Sequence, residues 1–169
     1  LQVPLKETLA PIESITCADE AAVLVLNNEN VADLSWLDTP GLSHLLAQAV
    51  LARRIGALEA FLIALDQDAD YDSPNFHWFK QRYPRFAYVD RIVVAGSARG
   101  HGHARRLYED LFDFARRAGH SLVTSEVNVN PPNPASDAFH AALGFSEVGS
   151  AVIHGGEKTV RYYVRTVAG

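Results

Sequence analysis

The stretch Arg99-Gly100-His101-Gly102-His103-Ala104 constrains this chain more than any other. It follows an apolar run, Ile92-Val93-Val94, and opens an amphipathic segment from Arg105 to Ala118. The pattern predicts a strand, a glycine-rich turn and a helix. Glycine has no Cβ, so the turn can take unusual dihedrals and let a ligand approach the main chain. The first amides of a helix have no internal partner and sit at the positive end of its dipole. Such a junction is a seat for phosphate, although a bare G-x-G is also compatible with an ordinary tight turn. Spacing excludes two phosphate loops. Arg105 stands where the dinucleotide fingerprint needs its third glycine, and no P-loop G-K-[ST] is present.

A chain of 169 residues has room for one domain with a full core, expected to span residues 1–169. No run of 18 apolar residues marks a membrane span. The first residues lack the basic-then-apolar pattern of a secretory signal. The absence of any Met points to a processed or trimmed N-terminus. A single Cys excludes an internal disulfide and suits a reducing cytoplasm. A net charge of −5 argues against nucleic acid and anionic membrane as partners and suits a cationic small substrate.

From the start, Leu9 to Ile15 reads as a first strand. Thr16 with Asp19 reads as a helix cap, and the helix is expected to run to Asn27. Cys17, at its start, is expected to be buried packing rather than an activated thiol. Thr39-Pro40 begins a second helix that ends near Ala49. Val50 to Ile55 and Leu58 to Leu65 read as strands joined at Gly56-Ala57. Asp66 to Asp72 begins like a calcium loop, but Tyr71 stands in the glycine place and His77 in that of the bidentate Glu, so it reads as a solvated turn. Ser73-Pro74 caps a short helix, about Asn75 to Arg82. The segment from Tyr71 to Tyr83 is rich in aromatics, which serve either as packing or as the wall of a cleft.

Phe86 to Val94 is the strand before the glycine turn, and alternation places Phe86, Tyr88, Asp90, Ile92 and Val94 on one face. The following helix turns Ala104, Leu107, Tyr108, Leu111, Phe114, Ala115 and Ala118 inward. Arg105 with Glu109, and Arg106 with Asp110, are spaced as outward pairs, and Gly119 ends the helix. Ser121 to Val129 is a strand with an unusually polar face, Thr124, Glu126 and Asn128, as expected beside a cleft. A stiff loop, Asn130-Pro131-Pro132-Asn133-Pro134, leads to a short helix that ends at Leu143-Gly144. Phe145 to His154 and Thr159 to Thr166 read as a closing hairpin.

Arg99, Gly102 and Ala104 fill the pattern R-x-x-G-x-A, which resembles the acetyl-CoA signature [QR]-x-x-G-x-[GA] of the GNAT family of N-acetyltransferases. Asn133 to Phe145 resembles that family's N-x-x-A-x-x-[LF]-Y-x-x-x-G-F segment, with Asn133, Phe139, Gly144 and Phe145 matching. Ser136 replaces the usual Ala, and His140 stands in the place of the Tyr that commonly protonates the leaving thiolate. The order of elements also fits the family. The resemblance implies an α/β (α+β) fold: a mixed, mostly antiparallel seven-stranded sheet, flanked by helices and splayed between strands 4 and 5. It also implies acetyl transfer from acetyl-CoA to an amine by direct attack, without an acetyl-enzyme.

By the same resemblance, Ile92, Val93, Val94, Arg99, Gly100, His101, Gly102, His103, Ala104, Asn133, Ser136 and Phe139 contact the cofactor, and the amide at Val94 is the oxyanion donor. Glu126 is the candidate base, with Asp90 its rival, and His140 the candidate acid. That acid role requires His140 and Glu126 to share a cleft, because an ordinary His is mostly neutral at neutral pH. Asn28, Glu29, Trp78 and Tyr88 are the candidates for the acceptor side. The acceptor is expected to be a small-molecule or peptide amine, and a second copy of the chain is a candidate partner. An alternative of another class is a noncatalytic acetyl-CoA sensor.

Overall fold

The computed structural model describes residues 8–130 and 132–167. Pro131, part of the stiff loop expected from the sequence, lies outside the described residues. In chain order the elements are β1 (Ile12–Ser14), α1 (Glu20–Asn28), α2 (Thr39–Gln48), β2 (Leu51–Ile55), β3 (Ala60–Asp66), α3 (Pro74–Lys80), β4 (Ala87–Val94), α4 (His103–Arg117), β5 (Leu122–Asn130), α5 (Pro134–Ala142), β6 (Ser146–Ile153) and β7 (Lys158–Thr166). The strands form one sheet in the order β1-β2-β3-β4-β5-β7-β6. All neighbours are antiparallel except β4 and β5. That parallel pair meets only at its start, Ala87 opposite Val123 and Tyr88 opposite Thr124. Beyond those residues the strands part, which is the splay expected between strands 4 and 5.

Two apolar layers enclose the sheet. On one face Leu107, Tyr108, Leu111 and Ala115 of α4 pack on Leu62, Ala64, Val89, Val123 and Val127. On the other, Val23, Leu26, Leu42, Leu45, Phe76 and Phe79 of α1, α2 and α3 pack on Phe61, Ile63, Leu65, Phe86, Tyr88 and Tyr162. Local chemistry sets the helix starts. Asp19 accepts from the Thr16 amide at 2.8 Å, Asp38 from the Gly41 amide at 2.7 Å, and Asn133 from the Ser136 amide at 3.2 Å. Among the described residues no helix is long and apolar enough to cross a membrane.

Several expectations are corrected. The face of β4 switches partway along. Phe86 and Tyr88 lie on the α1–α3 side as expected, but Ile92 and Val94 pack on the α4 side. Pairing with β3 steps from Ile63–Arg91 to Ala64–Val89 and leaves Asp90 as an extra residue, a β-bulge. One inserted residue moves every later side chain to the opposite face. The first strand is only Ile12–Ser14, since pairing with β2 reaches no further than Ile12 opposite Ile55. Cys17 is exposed, not buried. Helix α4 starts at His103 rather than Arg105, and it is Phe112, not Phe114, that is fully inside. The expected outward pair of Arg106 with Asp110 is replaced by longer-range contacts. Asp110 bonds Arg53 at 3.1 Å, and Arg106 donates to the Ala10 carbonyl at 2.7 Å.

Helix α3 carries the aromatic segment and is bolted to the closing hairpin. Trp78 stacks on Tyr162 with ring centroids 4.2 Å apart, and the Arg82 guanidinium covers its other side at 3.8 Å. A Cβ at Gly149 of β6 would lie 2.5 Å from the indole, so only glycine lets Trp78 settle there.

Candidate active site

Between β4 and α4 the chain turns through Gly96–Ala98 and then the glycine loop. Gly100 has φ +81° and Gly102 φ +76°, the left-handed region that favours glycine. A Cβ on either would meet nothing within 4 Å, so their conformation, not internal crowding, demands glycine, and the space above them is open. The backbone ladder of α4 starts with the Arg106 amide bonding the Gly102 carbonyl, which leaves the amides of His103, Ala104 and Arg105 outside it. The imidazoles are engaged elsewhere. His101 Nδ1 lies 3.0 Å from the Ala98 carbonyl, and His103 Nε2 lies 3.1 Å from Glu59. The seat is therefore built from main chain, with Arg99 exposed at its rim. It fits a pyrophosphate, the group the sequence resemblance assigns to it.

The β4–β5 split holds a cleft of about 350 Å³, which β4 lines from Tyr88 to Ile92, short of the glycine loop. The Ala95 amide bonds Glu59 of the β2–β3 turn at 2.9 Å. Amides alternate along a strand, so those of Ile92 and Val94 face the split while that of Val93 faces β3. The Val94 amide is thus free of the β3 ladder, and Val93 is buried. From α5, Asn133, Ser136 and His140 line the cleft, whereas Phe139 packs against the α4-side core.

Glu126 lies on the polar face of β5, opposite Tyr162 of β7. Its Oε1 accepts from the Tyr88 hydroxyl at 2.9 Å and from Asn75 Nδ2 at 3.2 Å. Its Oε2 is out of solvent and has no hydrogen-bond partner among the described residues, in the wall of the cleft. Burial, and then the charge of Asp90, push the carboxyl up to about 8, while the Tyr88 and Asn75 bonds and Arg91 act in the opposite direction. Burial also raises Tyr88 well above its ordinary value, so its hydroxyl stays a donor.

Asp90 is committed elsewhere. Arg91 Nε donates to it at 2.7 Å, and both side chains are buried. Burial disfavours the Arg91 charge, but the Asp90 carboxylate outweighs that and holds the guanidinium above its ordinary value. Arg91 Nη1 also donates to Asn27 at 2.8 Å and to the Ser35 carbonyl at 3.3 Å. These bonds tie the α1–α2 loop, with Asp33, Leu34 and Ser35, to the mouth of the cleft. Asn28 reinforces the loop, donating to the Leu37 carbonyl at 2.9 Å and accepting from its amide at 3.1 Å. Asn28 therefore shapes the cleft through the loop. Glu29 is exposed, Trp78 packs behind Tyr162, and neither lines the cleft; of the four acceptor-side candidates only Tyr88 does. The sequence reading missed Asn75 and Arg91. Adjacent charges inside an apolar strand, Asp90-Arg91, were the available signal for the second; Asn75 gave none.

His140 and Glu126 border one cleft, the arrangement that the acid role requires, but the hydrogen bonds of His140 leave it no proton to give. His140 packs on the α4 side among Tyr108, Phe139, Phe145 and Tyr163. Its Nδ1 is 2.7 Å from the Ser136 carbonyl and must carry the proton, so Nε2 accepts from the Tyr108 hydroxyl at 2.7 Å. Burial lowers its pKa, despite the Ser136 and Asp137 contacts that raise it. A folded pKa below the ordinary 6.5 means that stability is full above 6.5 and is lost as pH falls through the folded value. His140→Phe is expected to flatten part of that acid-side loss in thermal melts. It should also cost about 1–3 kcal/mol at neutral pH, by stranding the Tyr108 hydroxyl, while amine-dependent turnover stays within about threefold, as expected where no general-acid factor is removed.

Residues 41–145 match the acetyltransferase (GNAT) family, and the chain belongs to it. No curated protein sequence matches. Similar solved structures include the ribosomal-protein-S18-alanine N-acetyltransferase of Escherichia coli, with TM-score 0.69, 18% identity and coverage of 95% of this chain and 96% of that one. The yncA protein of Salmonella typhimurium, solved with its cofactor acetyl-CoA, gives TM-score 0.68 at 20% identity, covering 96% of each chain. A chain of the NatC complex bound to Gag peptide and CoA gives 0.73 at 14% identity, covering 94% of this chain and 99% of that one. At these identities the likenesses establish the fold.

Proposed function

We propose that this protein is an N-acetyltransferase that uses acetyl-CoA to acetylate an amine of a small molecule or peptide by direct attack. The observation that carries the reading is the Glu126 carboxylate, with one oxygen out of solvent and unpartnered, in the wall of a cleft between β4 and β5, the strand β4 leading on to a main-chain anion seat. Acetyl-CoA is the cofactor and supplies the activated acetyl group. The amides from Gly100 to Ala104 hold its pyrophosphate, and Asn133 and Ser136 border its arm. The Val94 amide donates to the carbonyl oxygen as that oxygen gains charge. Glu126 takes the acceptor's ammonium proton on Oε2 through a bridging water. Asp90 stays paired with Arg91 and is not the base. His140 has both ring nitrogens occupied, so it is not the acid; the departing thiolate is protonated from solvent. Cys17, exposed before α1, carries no acetyl group.

The test is thiol release from acetyl-CoA by the purified protein, with a panel of primary amines and short peptides. Amine-dependent release supports the transferase reading. Tight acetyl-CoA binding with no release from any acceptor would support the sensor alternative instead.

A further inference from the structure

The carboxylate of Glu126 is held by a residue from a distant part of the chain. Asn75 stands in the first turn of α3, and its Nδ2 donates to Glu126 Oε1 at 3.2 Å. The Tyr162 hydroxyl donates to Asn75 Oδ1 at 2.8 Å. Because Oδ1 takes the phenol proton, the NH₂ group must face the carboxylate. Tyr162 is itself fixed, opposite Glu126 in the β5–β7 ladder and stacked under Trp78. Helix α3, its packing on β6 and β7, and the two hydrogen bonds thus form one continuous support.

We infer that Asn75 is a positioning residue, which, with its amide set by Tyr162, ties down Oε1 of Glu126 and leaves Oε2 as the proton acceptor. The inference rests on the reading of Glu126 as the base. The Tyr88 hydroxyl also holds Oε1, at 2.9 Å; with Asn75 gone that single bond is left, the carboxylate can turn about it, and the direction of its free lone pairs is then less sharply set. The Asn75 bond also favours the charged form and so opposes the effect of burial. The other groups around the carboxylate are Tyr88, Asp90 and Arg91 of β4, Tyr162 of β7 and Tyr108 of α4, with Tyr71 further out beside Tyr88, Asp90 and Arg91. Asp90 and Arg91 are paired with each other. The four tyrosines are raised above their ordinary value, chiefly by burial, so none ionises near neutral pH.

The experiment follows the Glu126 carboxyl directly, by ¹³C NMR of protein labelled at the glutamate side-chain carboxyl, with the resonance assigned by its loss in Glu126→Gln. In Asn75→Ala the titration midpoint should rise by about half a unit or more, from loss of a hydrogen bond to the charged form. Tyr162→Phe keeps the ring stack and should raise the midpoint less, and it provides the same readout if Asn75→Ala does not fold. Turnover in Asn75→Ala should fall about tenfold, from the misplaced base, with acetyl-CoA affinity unchanged. An unmoved midpoint in the folded variants overturns the inference. If the midpoint moves but Glu126→Gln keeps full turnover, Asn75 still holds the carboxylate, and it is the assignment of Glu126 as base that fails.

Discussion

Glu126→Gln is expected to lower amine-dependent turnover about 10²–10³-fold, the loss typical of removing a general base, while acetyl-CoA binding by calorimetry stays as in the wild type. The amide keeps the size of the carboxyl and can still accept from Tyr88 and Asn75, but it cannot take a proton. The same variant should be more stable than the wild type, and the pH dependence gives the sign. The folded carboxyl titrates at about 8, above the ordinary 4.5. Below 4.5 it is protonated in folded and unfolded chain alike. As pH rises from 4.5 to 8 the unfolded chain ionises freely while the fold holds the proton, so stability is lost across that window and levels off above it. Glu126→Gln escapes that loss, and urea denaturation at pH 8 should show it roughly 2–4 kcal/mol more stable than the wild type. Equal stability at pH 5 and pH 8, relative to the wild type, would mean that the carboxylate is not destabilised by its surroundings.

Gly102→Val is expected to weaken acetyl-CoA binding at least tenfold, about 1.4 kcal/mol or more. Two effects add. The φ of +76° is strained for any side chain and worst for a β-branched one. The new side chain would also stand in open space over the loop, where nothing in the protein occupies it but the ligand's phosphates must pass. Since no internal clash arises, the variant should fold, with a modest fall in melting temperature from the backbone strain. Calorimetry giving wild-type affinity in a folded Gly102→Val protein would remove the loop from the cofactor site.

What was legible in the sequence was local. The glycine turn, the Thr16–Asp19 box, the Ser73-Pro74 start and the polar face of β5 each depend on residues within a few positions, and each was found in place. The family resemblance added the mixed, mostly antiparallel sheet and its split, which periodicity does not contain. What could not be read depends on partners far along the chain. The face switch in β4 arises only when Asp90 fails to find a place opposite β3. Arg106 and Asp110 are spaced for each other, yet Arg106 bonds the Ala10 carbonyl and Asp110 bonds Arg53. Trp78 stands in an aromatic segment that suggests a ligand wall, but Tyr162, 84 positions later, takes its flat face. His140 resembles an acid by position alone. Of the contacts that deny it a spare proton, the Ser136 carbonyl is one turn back on α5, but the Tyr108 hydroxyl arrives only with the folded α4–α5 packing.

The most direct measurement is the pH dependence of kcat/KM for amine-dependent thiol release, wild type against Glu126→Gln, with the same acceptor. In the wild type the profile should rise with a midpoint near 8, as the buried carboxyl loses its proton. In Glu126→Gln that limb should disappear, leaving a much lower profile shaped only by the acceptor's own ammonium. A wild-type limb preserved in position and height in Glu126→Gln would contradict the account.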